Sequence, residues 1–439
     1  MEYGILNDIT TKKDWRYPMK NILYRYNHSS LILRIIIGII IGVILAFLVP
    51  QAAWIGILGK LFVGALKAIA PILVAVLVSA SLCQGSAKLD NRFGLVIFLY
   101  LFSTYLASFV AVLASFAFPQ TITLSESLMA EEAAAAPGGL GDVIQSLLNN
   151  IIANPVKAVS EANYLGILFW AVVIGLAMKR FAGKETQTVM LNLSDAVTEV
   201  VRWVINLAPF GICGLVFSAV SESGMDIFVT YGRLMVLLVC TMLAVAFVVN
   251  PIIVACVLRT NPYPLVLRCI RESGITAFFT RSSAANIPVN MELCEKLGLD
   301  RDMYSVSIPL GSTINMDGAS VTITIMTLAT AHTLGIEVTL PTAMVLSFLS
   351  ALAACGTSGV TGGSLLLIPM ACSLFGISDS ISMQVVGVGF IIGVIQDSME
   401  TAINSSGDAI FTATSEYAHW KKIGKSLPTF LGGTTKTGF

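Results

Sequence analysis

Four stretches of apolar residues are long enough to cross a lipid bilayer as helices. They are Leu31–Val49, Leu58–Leu82, Leu95–Phe118 and Leu234–Leu258. A helix needs about 20 mostly apolar residues to span the hydrocarbon core, where its backbone groups must be paired internally. Two weaker stretches are Leu165–Met178, which is short, and Ala196–Val220, which contains Arg202 and Pro209. We therefore predict an all-α polytopic membrane protein.

The composition excludes several classes of protein. Of the 439 residues, 56% are hydrophobic and 12% are charged, whereas soluble domains carry roughly 25% charged residues. The 26 basic and 26 acidic residues cancel, so no net positive field attracts nucleic acid. The eight cysteines form no CxxC motif and there are three histidines, which argues against a disulfide framework or a zinc site. We predict neither an enzyme, nor a cofactor, nor a nucleic-acid partner.

The C-terminal half contains four apolar segments that carry polar or glycine-rich runs. They are Pro264–Leu297 around Thr280–Ser283, Tyr304–Leu334 around Asn315–Gly318, Pro341–Phe375 around Cys355–Gly363, and Ile381–Thr414 with a row of acidic residues. Interrupted backbone is tolerated at membrane depth only where it faces protein or a water-filled cavity. The four segments therefore predict a binding site at mid-membrane, as in transporters built from inverted repeats with discontinuous helices.

The positions of lysine and arginine indicate the topology. With a cytoplasmic N-terminus, the loops near 50–53, 119–140 and 221–230 lie outside and contain no lysine or arginine. Most basic residues then lie inside, provided that Pro264–Leu297 and Pro341–Phe375 each enter and leave on the same face. We predict eight transmembrane helices plus two re-entrant helical hairpins, with both termini cytoplasmic.

Asp397, Glu400, Asn404 and Asp408 are spaced by three, four and four residues, so they share one face of a helix. Burying one charge at the bilayer centre costs at least about 2.5–3.5 kcal/mol on insertion scales. Arg281 is the only lysine or arginine in the four segments away from their ends. We expect the missing positive charge to come from bound cations and an ammonium-bearing substrate. A pore lining or a set of inter-helix salt bridges is the alternative.

Two further features predict ligand contacts. Asn315 and Asp317 lie where Gly318 lets a helix unwind, and carbonyl oxygens beside a carboxylate suit a hard cation; a simple kink with a self-capping Asp317 is the alternative. The Ser282–Ser283 and Cys355–Gly363 turns join short half-helices, whose N-termini and glycines suit a substrate carboxylate, unless both are ordinary loops. On opposite membrane faces, these turns are expected to act as two gates.

These motifs resemble those of the dicarboxylate/amino-acid:cation symporter family, which has the glutamate-transporter fold. The resemblance covers about residues 30–418, and within the family the chain is similar to the bacterial sodium:serine/threonine symporters. The matching motifs are Arg281-Ser282-Ser283, Asn315-Met316-Asp317-Gly318, Gly356-Thr357-Ser358-Gly359-Val360, and the set Asp397, Asn404, Gly407 and Asp408.

The resemblance implies a role for each candidate site residue. Asp397 would bind the substrate ammonium and Asn404 the substrate carboxylate, while Ser283 and the backbone of Val360 complete the headgroup site. Three sodium sites are implied. They consist of Asp408 with the carbonyls of Asn315 and Asn404, of Thr357 with the carbonyls of Ala354 and Cys355, and of Asn315 and Asp317 with Tyr100, Ser103 and Thr104.

The resemblance also implies a homotrimer in the bacterial inner membrane, in which a transport domain moves like an elevator against a scaffold. Sodium would be the coupling ion, with no other cofactor. The implied boundaries are 1–30, cytoplasmic segment; 31–92, scaffold helices 1 and 2; 93–118, transport helix 3; 119–222, outer loop and scaffold helices 4 and 5; 223–262, transport helix 6; 263–300 and 337–378, the hairpins; 301–336, broken helix 7; 379–417, helix 8; 418–439, cytoplasmic tail.

Glu400 departs from the family pattern, because members that carry glutamate or aspartate have an arginine at this position. An acidic substrate would meet a like charge, whereas a hydroxyl could donate to Glu400. Ala319 also replaces a usual threonine. Both changes favour small neutral amino acids, serine and threonine foremost, unless Arg281 folds over Glu400. We expect a sodium-coupled symporter; a sodium- or proton-coupled carrier of acidic amino acids or dicarboxylates and a cation channel are the alternatives.

Overall fold

The computed structural model describes residues 31–83, 91–124, 152–355, 357 and 362–432, and the regular elements in these ranges are helical. The first eight are α1 Leu31–Leu48, α2 Gly56–Cys83, α3 Asn91–Ala117, α4 Pro155–Ser160, α5 Tyr164–Phe181, α6 Lys184–Asn206, α7 Ala208–Ser223 and α8 Asp226–Leu258. The others are α9 at 263–280, α10 Ile287–Lys296, α11 Arg301–Ile314, α12 Asp317–Thr333, α13 Leu340–Ala354, α14 Ser364–Ser373 and α15 Asp379–Lys422.

Several of these helices are long and apolar enough to cross a membrane. Within the described ranges, α2, α3, α5, α8 and α15 meet this criterion, and the pair α6 and α7 forms a sixth candidate with a bend of 51°. Helices α1, α13 and α14 are apolar but shorter. The prediction of an all-α, multi-pass membrane protein is confirmed, whereas the number of eight spans remains a prediction.

The weak apolar stretch Ala196–Val220 is divided between two helices. Helix α6 already begins at Lys184 and ends at Asn206, and α7 starts with Pro209 in its first turn. Proline lacks the N–H that a continuing helix would need, but it fits the first turn of a new helix. The bend therefore follows from Pro209.

Three of the four polar-marked segments are interrupted as expected. The breaks are at 281–286 between α9 and α10, at Asn315 and Met316 between α11 and α12, and between the end of α13 at Ala354 and the start of α14 at Ser364. The fourth segment is not interrupted: α15 runs through 44 residues, and its acidic residues lie on one continuous helix. Ser378 caps its N-terminus, because the Ser378 Oγ accepts from the backbone N–H of Ile381 at 3.4 Å.

The described helices pack in two groups. Helices α1, α2, α5, α6 and α7 pack against one another and form the first group. In the second group, α3, α8–α11, α13 and α14 surround α12 and α15. Helix α12 is buried from Asp317 to Ala331. In contrast, α1 exposes Ile40, Phe47 and Leu48 at its surface, as expected for a helix that faces lipid or another subunit. The broken helix α12 and the acidic face of α15 therefore meet inside the second group.

Candidate functional site

The four polar residues that the sequence aligns on one face of α15 point into the protein. Asp397, Glu400, Asn404 and Asp408 are all buried, with Asp408 fully enclosed. They face the break between α11 and α12 and two helix pairs, the first pair α9–α10 and the second pair α13–α14. Because buried charges require partners, the contacts of each carboxylate indicate what the site can bind.

The Asp317 carboxylate accepts hydrogen bonds from side chains of α3 and α8. Its Oδ1 accepts from Ser103 Oγ at 2.9 Å and from Thr104 Oγ1 at 3.2 Å. Its Oδ2 accepts from Asn250 Nδ2 at 3.1 Å, and Ser103 Oγ also lies 3.2 Å from Asn315 Oδ1. The hydroxyl oxygens of Ser103 and Thr104 and the amide oxygen of Asn315 thus lie beside one carboxylate, and oxygen ligands of this kind suit a hard cation.

The hydroxyls of Ser103 and Thr104 have a second acceptor. Ser103 Oγ is 3.0 Å and Thr104 Oγ1 is 2.9 Å from the backbone carbonyl of Tyr100, one turn earlier in α3. Each hydroxyl has a single proton, so it donates to one acceptor at a time, which is Tyr100, Asp317 or, for Ser103, Asn315 Oδ1. Thr104 Oγ1 also accepts from the backbone N–H of Met316 at 3.1 Å. If the protons turn to Tyr100, each hydroxyl still has a lone pair that is available to a cation beside Asp317.

Asp408 forms a second carboxylate centre, which Asn315 connects to the first. Asn315 Nδ2 donates to Asp408 Oδ1 and to the backbone carbonyl of Asn404, both at 3.0 Å. Asp408 Oδ2 is buried and has no hydrogen-bond partner among the described residues. A Cβ on Gly407 would lie 2.6 Å from Asn315 Nδ2, so only glycine allows this approach.

The resemblance groups Tyr100 with Ser103 and Thr104 at the Asp317 site, but the structure places the Tyr100 hydroxyl elsewhere. Its hydroxyl contacts Thr412 Oγ1 at 2.8 Å and donates towards the backbone carbonyls of Ser307 and Asp408. The side chain therefore lies on the Asp408 side, and only its backbone carbonyl reaches the Ser103 and Thr104 hydroxyls.

Asp397 is paired with Arg281. Arg281 Nε lies 2.6 Å from Asp397 Oδ2, and both side chains are almost completely buried. The backbone N–H of Gly362 donates to Asp397 Oδ1 at 2.9 Å. Arg281 caps α9 in the left-handed region, with a φ of 52°, which points its side chain from the first helix pair towards α15. The arginine thus folds over Asp397.

Glu400 is held by three neutral donors on the same oxygen. Its Oε2 accepts from Gln396 Nε2 at 2.6 Å, from Ser364 Oγ at 2.7 Å and from Thr322 Oγ1 at 2.9 Å. Ala319, one turn before Thr322, is fully buried. These contacts show that the space near Glu400 is lined by groups that donate to a carboxylate.

Asn404 is tied to the helix break. Its Oδ1 accepts from the backbone N–H of Gly318 at 2.8 Å, and its Nδ2 lies 3.4 Å from Met316 Sδ. The conformation around Asn315–Gly318 therefore determines the position of the Asn404 side chain.

The second helix pair contributes the remaining candidates. Thr357 Oγ1 donates to the carbonyl of Ala354 at 2.9 Å, and Cys355 Sγ contacts the carbonyl of Ile314 at 3.5 Å. Ser283 of the first pair is buried. Val360 lies outside the described residues, as do its neighbours in the Gly356–Thr361 turn other than Thr357.

Sequence reasoning did not identify Asn250, Thr322, Ser364 or Gln396 as site residues. Asn250 lies in the apolar stretch Leu234–Leu258, next to Pro251, where the pair indicates only an interruption of the stretch. Gln396 directly precedes Asp397, and Thr322 follows Gly318 by one turn, so both positions offered a signal. Ser364 offered none, because it follows a glycine-rich turn in which any serine resembles a loop residue.

Known proteins similar to this chain are transporters. The model of the sodium:dicarboxylate symporter family matches residues 31–417. A serine/threonine transporter of Bifidobacterium adolescentis is 62% identical over 406 residues, which are 92% of this chain and 94% of that protein. Proteins of the same name from Streptococcus agalactiae and Streptococcus thermophilus are 57% and 54% identical, over 91% and 92% of this chain and 98% and 100% of those proteins. The chain therefore belongs to the sodium:dicarboxylate symporter family.

Proposed function

We propose that the protein imports serine and threonine by coupling their entry to that of sodium ions. The observation that carries this proposal is the cluster of buried carboxylates Asp317, Asp397, Glu400 and Asp408. Of these four carboxylates, only Asp397 has a lysine or arginine partner among the described residues, so the other three negative charges need mobile cations. The names of the relatives and the family description support the same substrate and ion.

Asp317 and Asp408 are the proposed centres of two sodium sites. Asn315 connects the two centres, because its Nδ2 donates to Asp408 and its Oδ1 lies 3.2 Å from Ser103 Oγ, which also contacts Asp317. Asn315 is directly connected to Met316–Gly318, which hold the Asn404 side chain. An ion at either carboxylate therefore changes the position of the residue that is to bind the substrate carboxylate. This coupling makes substrate binding depend on sodium. Thr357 with the carbonyls of Ala354 and Cys355 is proposed as a third site.

The substrate ammonium is proposed to bind Asp397 in place of Arg281. An ammonium and a guanidinium both donate to a carboxylate, so the two compete for Asp397. Asn404, Ser283 and the backbone of Val360 complete the proposed headgroup site. Binding of an amino acid then requires Arg281 to move or to share Asp397, which changes the first helix pair.

Glu400 is proposed to select a hydroxyl-bearing substrate. A substrate hydroxyl can donate to Glu400, whereas a substrate carboxylate would face a like charge. The family description mentions dicarboxylates, but Glu400 opposes them in this chain.

The proposed architecture has eight transmembrane helices and two re-entrant hairpins, α9–α10 and α13–α14, with both termini in the cytoplasm. The division of the described helices into two packing groups supports a transport domain of α3 and α8–α15 that slides against a scaffold of α1, α2 and α5–α7. The proposed assembly is a homotrimer in the bacterial inner membrane, where the exposed apolar face of α1 contacts lipid or a neighbouring subunit.

Uptake of radiolabelled serine into proteoliposomes tests this function. We expect accumulation under an inward sodium gradient and none when potassium or choline replaces sodium. Asp397→Asn should abolish uptake. The control Glu161→Gln changes an exposed residue that directly follows α4 and should leave uptake intact.

The alternatives predict different results in the same vesicles. Aspartate or succinate that competes with serine would indicate a carrier of acidic substrates. A sodium conductance that persists without serine and far exceeds serine flux would indicate a channel. Uptake that is indifferent to sodium contradicts the proposal.

A further inference from the structure

Asn250 is a buried amide at the Asp317 site for which the sequence motifs give no role. It lies in α8, is 1% exposed, and donates from Nδ2 to Asp317 Oδ2 at 3.1 Å. Its Oδ1 is buried and has no hydrogen-bond partner within the described ranges. We propose that Asn250 is a switchable ligand of this cation site, which donates to Asp317 in the absence of the ion and presents Oδ1 to the ion when it binds. This inference rests on the proposed sodium coupling.

The backbone of α8 places this side chain. A π turn, Val245–Val249, precedes Asn250, whose backbone N–H donates to the carbonyl of Val245. A π turn inserts one extra residue into a helix and thereby rotates the face that follows it; such turns are frequent at functional sites. Pro251 follows and provides no N–H, and Tyr263 Oη donates to the nearby carbonyl of Phe247 at 3.2 Å. An irregular helix is thus maintained at the position that directs Asn250 towards Asp317.

Packing alone does not explain an asparagine here. A buried amide without its full set of hydrogen bonds costs roughly 1–3 kcal/mol on mutational scales, and an apolar residue would avoid this cost. Thr241 in the same helix provides a comparison, since its hydroxyl donates to its own backbone at Leu237, at 2.7 Å. Thr241 is satisfied within α8, whereas Asn250 keeps an unpaired acceptor beside a carboxylate.

The two ends of the amide suit the two states of the site. Without an ion, Nδ2 stabilises the Asp317 carboxylate together with the Ser103 and Thr104 hydroxyls. With an ion, both hydroxyls donate back to the Tyr100 carbonyl, which is 3.0 Å and 2.9 Å away. A half-turn of the Asn250 amide then exchanges its NH₂ for Oδ1 with little change in shape. One carboxylate and neutral oxygens balance a single positive charge, so the ion is monovalent.

The test compares Asn250→Leu, which removes both ends of the amide, with Thr241→Val as the matched control in the same helix. The sodium concentration for half-maximal serine uptake is measured in proteoliposomes, and sodium alone is titrated onto the purified protein by thermal shift. We expect Asn250→Leu to raise the half-maximal sodium concentration in both measurements about tenfold or more, which is the usual effect of losing a residue that supports a metal ligand. The KM for serine at saturating sodium should stay within about twofold, and Thr241→Val should match the wild type.

A merely structural role predicts a lower melting temperature and fewer active transporters without a change in sodium affinity, and that result overturns the inference. If Asn250→Leu does not fold, Asn250→Ser replaces it. Serine keeps a short oxygen, so we expect a sodium shift of about threefold to tenfold, and an unshifted value again overturns the inference. A wild-type protein without sodium dependence would refute the proposed function itself, which distinguishes that failure from a failure of this inference.

Discussion

Glu400 illustrates how one side chain can define a substrate class. Its Oε2 already accepts from Gln396, Ser364 and Thr322, so the carboxylate is fixed in orientation without a cationic partner from the described residues. Two like charges about 5 Å apart repel by roughly 3 kcal/mol at an effective dielectric constant of about 20. A repulsion of this size would reduce binding of an acidic amino acid by about a hundredfold.

Glu400→Gln should therefore relax selectivity. The variant keeps the shape and one acceptor oxygen but removes the negative charge. We expect aspartate, a weak competitor for the wild type, to inhibit serine uptake about tenfold to a hundredfold better, while the KM for serine rises less. The measurement is the inhibition constant of aspartate in proteoliposomes, with Glu161→Gln as the control. If aspartate competes equally with both variants, Glu400 does not determine selectivity.

At the level of helices, the close contact of α12 with α15 depends on Gly318. A Cβ at this position would lie 2.7 Å from Glu400 Cα and 2.9 Å from its carbonyl oxygen. Both atoms belong to the backbone, so neither can move aside as a flexible side chain would. The N–H of Gly318 also holds Asn404, which means that separating the two helices would displace the candidate substrate residue.

Gly318→Ala should consequently destabilise the protein by about 1–3 kcal/mol, the typical cost of overpacking, and strongly reduce serine uptake. Gly232→Ala in α8 is the matched control, because a Cβ there meets nothing within 4 Å; it should leave or slightly raise the melting temperature. The measurements are thermal unfolding in detergent and serine uptake. Equal melting temperatures for the two variants would contradict the proposed close contact.

The elements were more predictable than the contacts between them. Glycine and polar residues at Asn315–Gly318 marked a break, and the spacing of the acidic residues on α15 placed them on one face, because both signals are local. Glu400 receives hydrogen bonds from Thr322 and Ser364, which are 78 and 36 residues away along the chain. Asn250 depends on a π turn that no residue pattern marked. Such pairings arise from tertiary packing, which spacing does not encode.

At the scale of the whole molecule, one ion pair among the described residues connects the two packing groups. Lys67 of α2 and Asp379 at the start of α15 are 2.9 Å apart, and both side chains are partly exposed. Helix α2 belongs to the proposed scaffold and α15 to the proposed transport domain. A slide of several ångströms would separate the two charges, so this pair is specific to one arrangement of the two groups.

A double-mutant cycle over Lys67→Ala and Asp379→Ala tests this connection. A partly exposed pair contributes at most about 1 kcal/mol, so each single change should alter the transport rate by no more than about fivefold. If both single changes alter the transport rate by breaking this pair, the double variant should transport at the same rate as either single variant, because the second change removes nothing further. The control cycle uses Lys157 and Glu161, which are 3.7 Å apart within one short helical segment and should leave the rate unchanged. Since both members of the control pair lie within one short helical segment, sliding cannot break that pair, and only the Lys67–Asp379 cycle should show coupling. Independent, additive effects of Lys67→Ala and Asp379→Ala on the rate would mean that the pair does not restrain the movement of α15 past α2.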